Sequence, residues 1–269
     1  MKNRSVKLIS FLLVTAFFFL IVFQGCKKDD DPALEIPPES TFLMDFSDFD
    51  DTTNSKGTKS VQTYKNWGHS FVNVVVWSAV ITVGLAVPVA SFKEAFNHEA
   101  IYHPDEKNWT WSYNVQVDTI TYEAELTGYV EEDSVVWEMR IDDFLWYDGR
   151  SHVNISGGYW IIYESKNQPT QLLKIDWNRN SDDGTADITY TNVAPEGSGF
   201  HDNNGGYIFY GIKISEWDRF YDIYNKRADN LTEIEWNASN KYGRVRDFKK
   251  FRDMNWHCWD TTLQDSNCQ

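Results

Sequence analysis

The residues that could do chemistry are scattered. His98-Glu99-Ala100-Ile101-Tyr102-His103 has the composition of a zinc-protease site, but H-E-x-x-H needs its two histidines four apart on one helical face, and Tyr102 occupies that place here. Gly197-Ser198-Gly199 and Ser156-Gly157-Gly158 lack the strand-turn-helix setting of a nucleophile elbow. Acidic neighbours such as Glu131-Glu132, Asp142-Asp143 and Asp182-Asp183 could serve glycoside hydrolysis only across a bond. Adjacent residues of a strand face opposite sides, so none of these pairs is such a site. The oxygen-rich run His201 to Gly206 lacks EF-hand spacing and reads as a solvated turn. No catalytic residue, metal ligand or cofactor is nominated, and the reading leans away from an enzyme.

Aromatic content is the chemistry left over: 12 Trp, 14 Tyr and 17 Phe. Most alternate with polar residues and are expected to fill a core. Phe144-Leu145-Trp146-Tyr147 runs consecutively, and Trp256 and Trp259 bracket His257-Cys258, so each group is expected to turn a ring outward. Trp146, Tyr147, Trp256 and Trp259 are therefore the candidate ligand-binding residues, for stacking on sugar rings or holding an apolar molecule. The competing reading is that they close the ends of a barrel.

Elements able to position these residues follow from periodicity. Asn66 to Phe92 carries no charged residue. Its polar interruptions and Pro88 argue against a membrane span, and Trp67 to Val87 is expected as a helix buried on most faces, with a hairpin over Val72 to Val83 as runner-up. Pro88 then starts a second short helix through Phe92, Ala95 and Phe96. From Trp109 onward short alternating runs are separated by turn signals. They begin with Trp109, Trp111, Tyr113, Val115 and Val117, and end with Tyr242 to Phe248. Asp148-Gly149 and Asp183-Gly184 are expected as tight turns. Phe42, Met44 and Phe46 suggest a further short strand. The fold class is mainly β (α+β): a buried helix or helix pair, then an antiparallel meander of roughly nine or ten strands curled into a barrel or half-barrel.

One internal repeat stands out. Leu172, Ile175, Trp177, Asn178 and Gly184 recur with unchanged spacing as Leu231, Ile234, Trp236, Asn237 and Gly243. Each copy is expected to be a hairpin whose glycine begins the return strand.

The amino terminus shows where the protein works. Lys2, Arg4 and Lys7 precede an uncharged run from Leu8 to Phe23, the pattern of a secretory signal. Phe23-Gln24-Gly25-Cys26 resembles the lipobox of bacterial lipoproteins, with Phe23 and Gln24 standing where many lipoboxes have Leu and a small residue. Lys27-Lys28-Asp29-Asp30-Asp31 is similar to the charged tail after the lipid cysteine in Bacteroidota lipoproteins. The resemblance covers about the first thirty residues. It implies a signal peptide over 1–25, acylation of Cys26, a membrane partner through that anchor, and an exported, outer-membrane location with display at the cell surface favoured over the periplasmic face. An uncleaved transmembrane anchor is the competing reading. The proline-containing stretch 26–40 then reads as lipidated cysteine and tether, and 41–269 as one globular domain, helical over 66–98 and meandering over 109–261.

With Cys26 spent on lipid, Cys258 and Cys268 remain as an even pair, and export favours a disulfide between them. Zinc held with His257 is the alternative. Loss of the signal makes the net charge of −15 more negative still, which argues against nucleic acid as partner. The function expected is a nonenzymatic binding module for an extracellular glycan or small apolar molecule. The alternatives are a lipid- or lipoprotein-handling factor, suggested by a helix packed on a curled sheet, and a structural or assembly lipoprotein.

Overall fold

The computed structural model describes residues 33–49, 63–195 and 203–268, with backbone alone at 82–84. The predicted signal, Cys26, Gly197-Ser198-Gly199 and His201-Asp202 lie outside the described residues. Leu34–Gln269 forms one compact unit with its own core.

Among the described residues fourteen strands pair antiparallel in chain order, so each hydrogen-bonds its sequence neighbour. They are β1 (Ile101–His103), β2 (Asn108–Val117), β3 (Ile120–Glu131), β4 (Ser134–Ile141), β5 (Phe144–His152), β6 (Gly157–Ser165) and β7 (Gln168–Arg179). The second half comprises β8 (Ala186–Asn192), β9 (Tyr207–Ile212), β10 (Arg219–Asn225), β11 (Asn230–Trp236), β12 (Gly243–Asp247), β13 (His257–Trp259) and β14 (Asp265–Ser266). A meander follows from its connections. Asp118, Glu132, Asp142 and Asp143 all adopt positive φ, the left-handed backbone that very short hairpin loops require and that Asp tolerates.

Period-two patterning fixes which face is core. Trp111, Tyr113 and Val115 of β2 and Val135, Trp137 and Met139 of β4 are buried, as are Ile175 and Trp177 of β7 and Ile234 and Trp236 of β11. The outermost strands β1 and β14 do not pair with each other, so the sheet is an open, curled half-barrel.

Two helices lie in its hollow: α1 (Lys65–Gly84) and α2 (Ala86–Ala95), bent by 72° between them. The Ser91 carbonyl accepts from the Tyr113 hydroxyl of β2 at 2.6 Å, while the next residue, Phe92, packs on Trp160 of β6 with centroids 5.4 Å apart. Laid flat, those strands would lie roughly 19 Å apart, so the sheet wraps α2. At the other end α1 packs on β11 to β14.

Several expectations change. Leu34 packs against the core, and Ile36 and Pro37 are buried, so the compact unit begins inside the predicted tether. Phe42 and Met44 are buried as their alternation suggested, but Phe42 to Phe46 is not a strand. Its backbone is satisfied by local turn bonds, from Phe42 and Leu43 to the Glu39 carbonyl, and by side chains rather than by a ladder. The Tyr190 hydroxyl accepts from the Met44 N–H at 2.7 Å and donates to the Phe42 carbonyl at 2.9 Å. The Tyr221 hydroxyl donates to the Asp45 carbonyl, and Trp236 Nε1 donates to Asp48 at 2.8 Å. Residues 34–49 thus form a strap gripped by the polar tips of core aromatics.

Asp148-Gly149 is mid-strand in β5, not a turn. Glycine is needed there for space: a Cβ would stand 2.5 Å from the Trp160 ring. Asp183-Gly184 does turn, with Gly184 at φ 74°. The repeat holds in the strands, where Trp177 and Trp236 are both buried, and breaks at the glycines. Gly184 N–H returns to the Asn180 carbonyl, whereas the equivalent bond to Asn237 comes from Lys241, itself at φ 63°. Gly243 opens the return strand β12, as expected, under Trp259, whereas Gly184 stands in the turn before β8.

Candidate ligand-binding groove

The helix α1 is less buried than its sequence suggests. Trp77 and Val74 face the core, but Val72 and Val76 are 61% and 60% exposed. These valines form one wall of an open groove of about 440 Å³ between α1 and the β10–β11 hairpin. Val80 and Trp77 extend that wall, Ile223 and Tyr224 supply the opposite one, and the side chains of Asn73, Asn225, Asn230 and Lys249 stand around it. An apolar wall lined on its other sides by asparagines, a threonine and a lysine suits a mostly hydrocarbon ligand with a polar end.

Asp247 fixes this arrangement. Its buried carboxylate accepts from His69 Nε2 of α1 at 2.8 Å, Thr232 Oγ1 at 2.7 Å and Asn230 Nδ2 at 3.0 Å of β11, and the Lys250 N–H at 3.0 Å. The last bond caps α3 (Phe248–Phe251). One side chain therefore ties together the helix, the strand and the short helix around the groove. Burial alone would raise its pKa, but the donors from His69, Thr232, Lys250 and Asn230 hold it well below the usual carboxylate range.

The four predicted aromatics are not brought together. Tyr147 and Trp259 are buried in the core. Trp146 is half-buried on β5, beside a register shift opposite Met139 and Arg140, and packs edge-on to Phe144 at 5.7 Å. Trp256 is half-buried and carries two guanidiniums, Arg244 at 4.3 Å and Arg246 at 4.6 Å from its centroid. Arg244 also lies 4.7 Å from Trp217, and Glu235 and Glu233 hold the two arginines. This is a cation–π ladder, with the Trp256 ring already engaged. No significant match to the chain exists among family models, curated proteins or solved structures.

Carboxylate pairs that local sequence could not show arise across strands. Glu138 stands opposite Asp148, and Asp222 opposite Glu233. Burial, and then Glu138, raises the pKa of Asp148. Burial, followed by Glu233 and Glu235, pushes Asp222 up to about 6. Glu233 is bound by two nitrogens of Arg246, at 2.6 and 2.5 Å, so this member of the pair is locked in the ladder.

Among the described residues no three His, Cys, Asp or Glu side chains gather to hold a metal ion. His98 stacks on Tyr113 at 4.7 Å and bonds Glu94, and His257 bonds Asp253 and stacks on Phe251 at 3.8 Å. The sulfurs of Cys258 and Cys268 are at bonding distance, with Cα atoms 5.2 Å apart. The pair forms the expected disulfide. Beside it Asp265 accepts from the Asn66 N–H at 2.9 Å, and its own N–H donates to the Thr63 carbonyl at 2.7 Å, so the tail holds the start of α1.

The groove was not among the predicted sites. The available signal is the absence of charge from Asn66 to Phe92, which is equally consistent with a helix buried on most faces.

Proposed function

We propose that this protein is a lipid-anchored envelope lipoprotein whose globular unit is a nonenzymatic binding module for a small apolar molecule. The observation that carries the reading is the exposed valine wall of α1 facing Ile223 across an open groove. Exposed valines at two successive turns of one helix are costly in water unless something covers them. A glycan is less favoured, because the Trp256 ring that would stack on a sugar already carries Arg244 and Arg246.

In this reading Cys26 carries the lipid, the protein is exported to the outer membrane, and the cell surface is its site of display. The lipobox-like run before Cys26 and the acidic residues after it support that part. Native mass spectrometry of protein purified from its own envelope is expected to show an apolar adduct released by organic solvent. Protein that is mass-homogeneous before and after extraction would contradict the reading. Palmitate labelling tests the anchor separately, and Cys26→Ser is expected to abolish it.

A further inference from the structure

The chain is acidic, yet one projecting element is not. In α3 the run Phe248-Lys249-Lys250-Phe251-Arg252 holds three cations and no acid. Phe248 is 53% exposed and nearby Met254 is 61% exposed. Arg252 turns the chain with φ 66°, and it and both lysines are exposed.

Neighbouring acids do not cancel this charge by pairing with it. Asp247 turns inward to His69, Thr232 and Asn230. Asp253 is engaged by His257 and the Asn255 N–H, and Asp229 accepts from the Tyr224 hydroxyl. Lys249 reaches back to the Ala228 carbonyl, which brings exposed Lys226 and its turn alongside.

The element is also held in place. The inward-facing Phe251 stacks on His257 at 3.8 Å and meets His69 edge-on at 5.7 Å. Asp247 caps the helix. Phe248 and Met254 are thus presented by a pinned turn rather than by a side chain that could fold into the core.

Large apolar side chains flanked by lysine and arginine that have no acidic partner among the described residues match the interface of a bilayer, where rings and thioethers enter the headgroup region and cations meet anionic lipid. We propose that the α3 tip, with Phe248 and Met254 as apolar contacts and Lys249, Lys250 and Arg252 as cationic ones, docks on an anionic phospholipid surface. The charge complementarity chooses this occupant: the rest of an acidic protein would be repelled by such a surface, so the basic tip sets the orientation. Lys249 also lines the groove beside Val72 and Val76, so docking turns the groove mouth toward the bilayer. The proposal stands whether or not the groove holds a ligand.

Vesicle co-sedimentation of the Leu34–Gln269 unit, which contains the whole core and the disulfide, tests it. The unit should pellet with vesicles of equimolar phosphatidylcholine and phosphatidylglycerol, stay in solution with phosphatidylcholine alone, and be released by high salt. The Lys249→Glu, Lys250→Glu, Arg252→Glu variant should bind at least about tenfold more weakly. Phe248→Ser with Met254→Ser should also weaken binding while leaving the salt dependence in place. A cooperative melt and unchanged near-ultraviolet circular dichroism establish that each variant is folded. Failure of the folded unit to pellet with the anionic vesicles, equal binding to both vesicle types, or charge-reversed protein binding like the parent would overturn the proposal. Val76→Glu leaves the tip intact, so loss of groove binding with retained vesicle binding separates the two readings.

Discussion

Met44 donates its backbone N–H to the hydroxyl of Tyr190 at 2.7 Å, and the same hydroxyl donates a hydrogen bond to the Phe42 carbonyl at 2.9 Å. A strand would satisfy both groups through a neighbour's backbone. Here one phenol in the hollow of the sheet does so.

Tyr190→Phe therefore leaves a buried N–H and a buried carbonyl without this partner, at constant ring volume. The expected cost is about 2 kcal/mol in chemical denaturation, with the denaturant slope unchanged. A loss no larger than a surface substitution's would show that the strap does not depend on this bond.

Asp247 makes the assembly around the groove sensitive to acid. Its carboxyl pKa is depressed in the folded state, so its stabilising contribution is present above the ordinary value near 4 and is lost as pH falls below it. Asp247→Asn should be markedly less stable than the parent at pH 7, by about 3 kcal/mol, and the gap should narrow steadily as the pH falls below 4. Parallel stability curves over that range would contradict the assignment.

Asp222 has the opposite sign. Its folded pKa of about 6 lies above the unfolded value of 3.8, so ionising it opposes folding, and stability falls as pH rises between those values. Asp222→Asn should raise the melting temperature at pH 8, corresponding to about 1 kcal/mol after allowance for solvent screening. The gain should shrink toward zero as pH falls to 4. A destabilised variant at pH 8 would show that the carboxylate is needed by its neighbours.

The Cys258–Cys268 bridge closes a short loop beside Asp265, which holds the Asn66 N–H and the Thr63 carbonyl at the start of α1. Breaking it by Cys268→Ser should cost on the order of 3 kcal/mol in the chain-entropy description. Amide exchange is expected to speed up first in the opening turn of α1 and in β14. Exchange that rises uniformly over the sheet would argue against a local clamp.

Much of this architecture was legible because a meander is a local fold. Trp111, Tyr113 and Val115 declare their face by alternation alone, and β7 and β11 repeat the pattern with the same tryptophan. β5 was obscured because its register shift leaves no clean alternation through Phe144-Leu145-Trp146-Tyr147, and because Asp148-Gly149 has turn composition while its glycine serves the Trp160 ring. The strap failed for a different reason: its hydrogen-bond partners, Tyr190, Tyr221 and Trp236, lie far along the chain, and periodicity carries no information about them. The groove was hidden because valines facing a cavity and valines facing a core read alike, and only packing shows that Val76 is open while Val74 is not.

The central claim is that the valine wall of α1 binds an apolar ligand. Titrating the Leu34–Gln269 unit with a fluorescent long-chain fatty acid measures it directly. Saturable enhancement is expected, displaced by unlabelled fatty acid and reduced at least about tenfold in Val76→Glu, whose side chain stands on the exposed face and should leave the melting temperature within a few degrees of the parent. Absence of saturable binding, or equal binding by the folded Val76→Glu variant, would contradict the account.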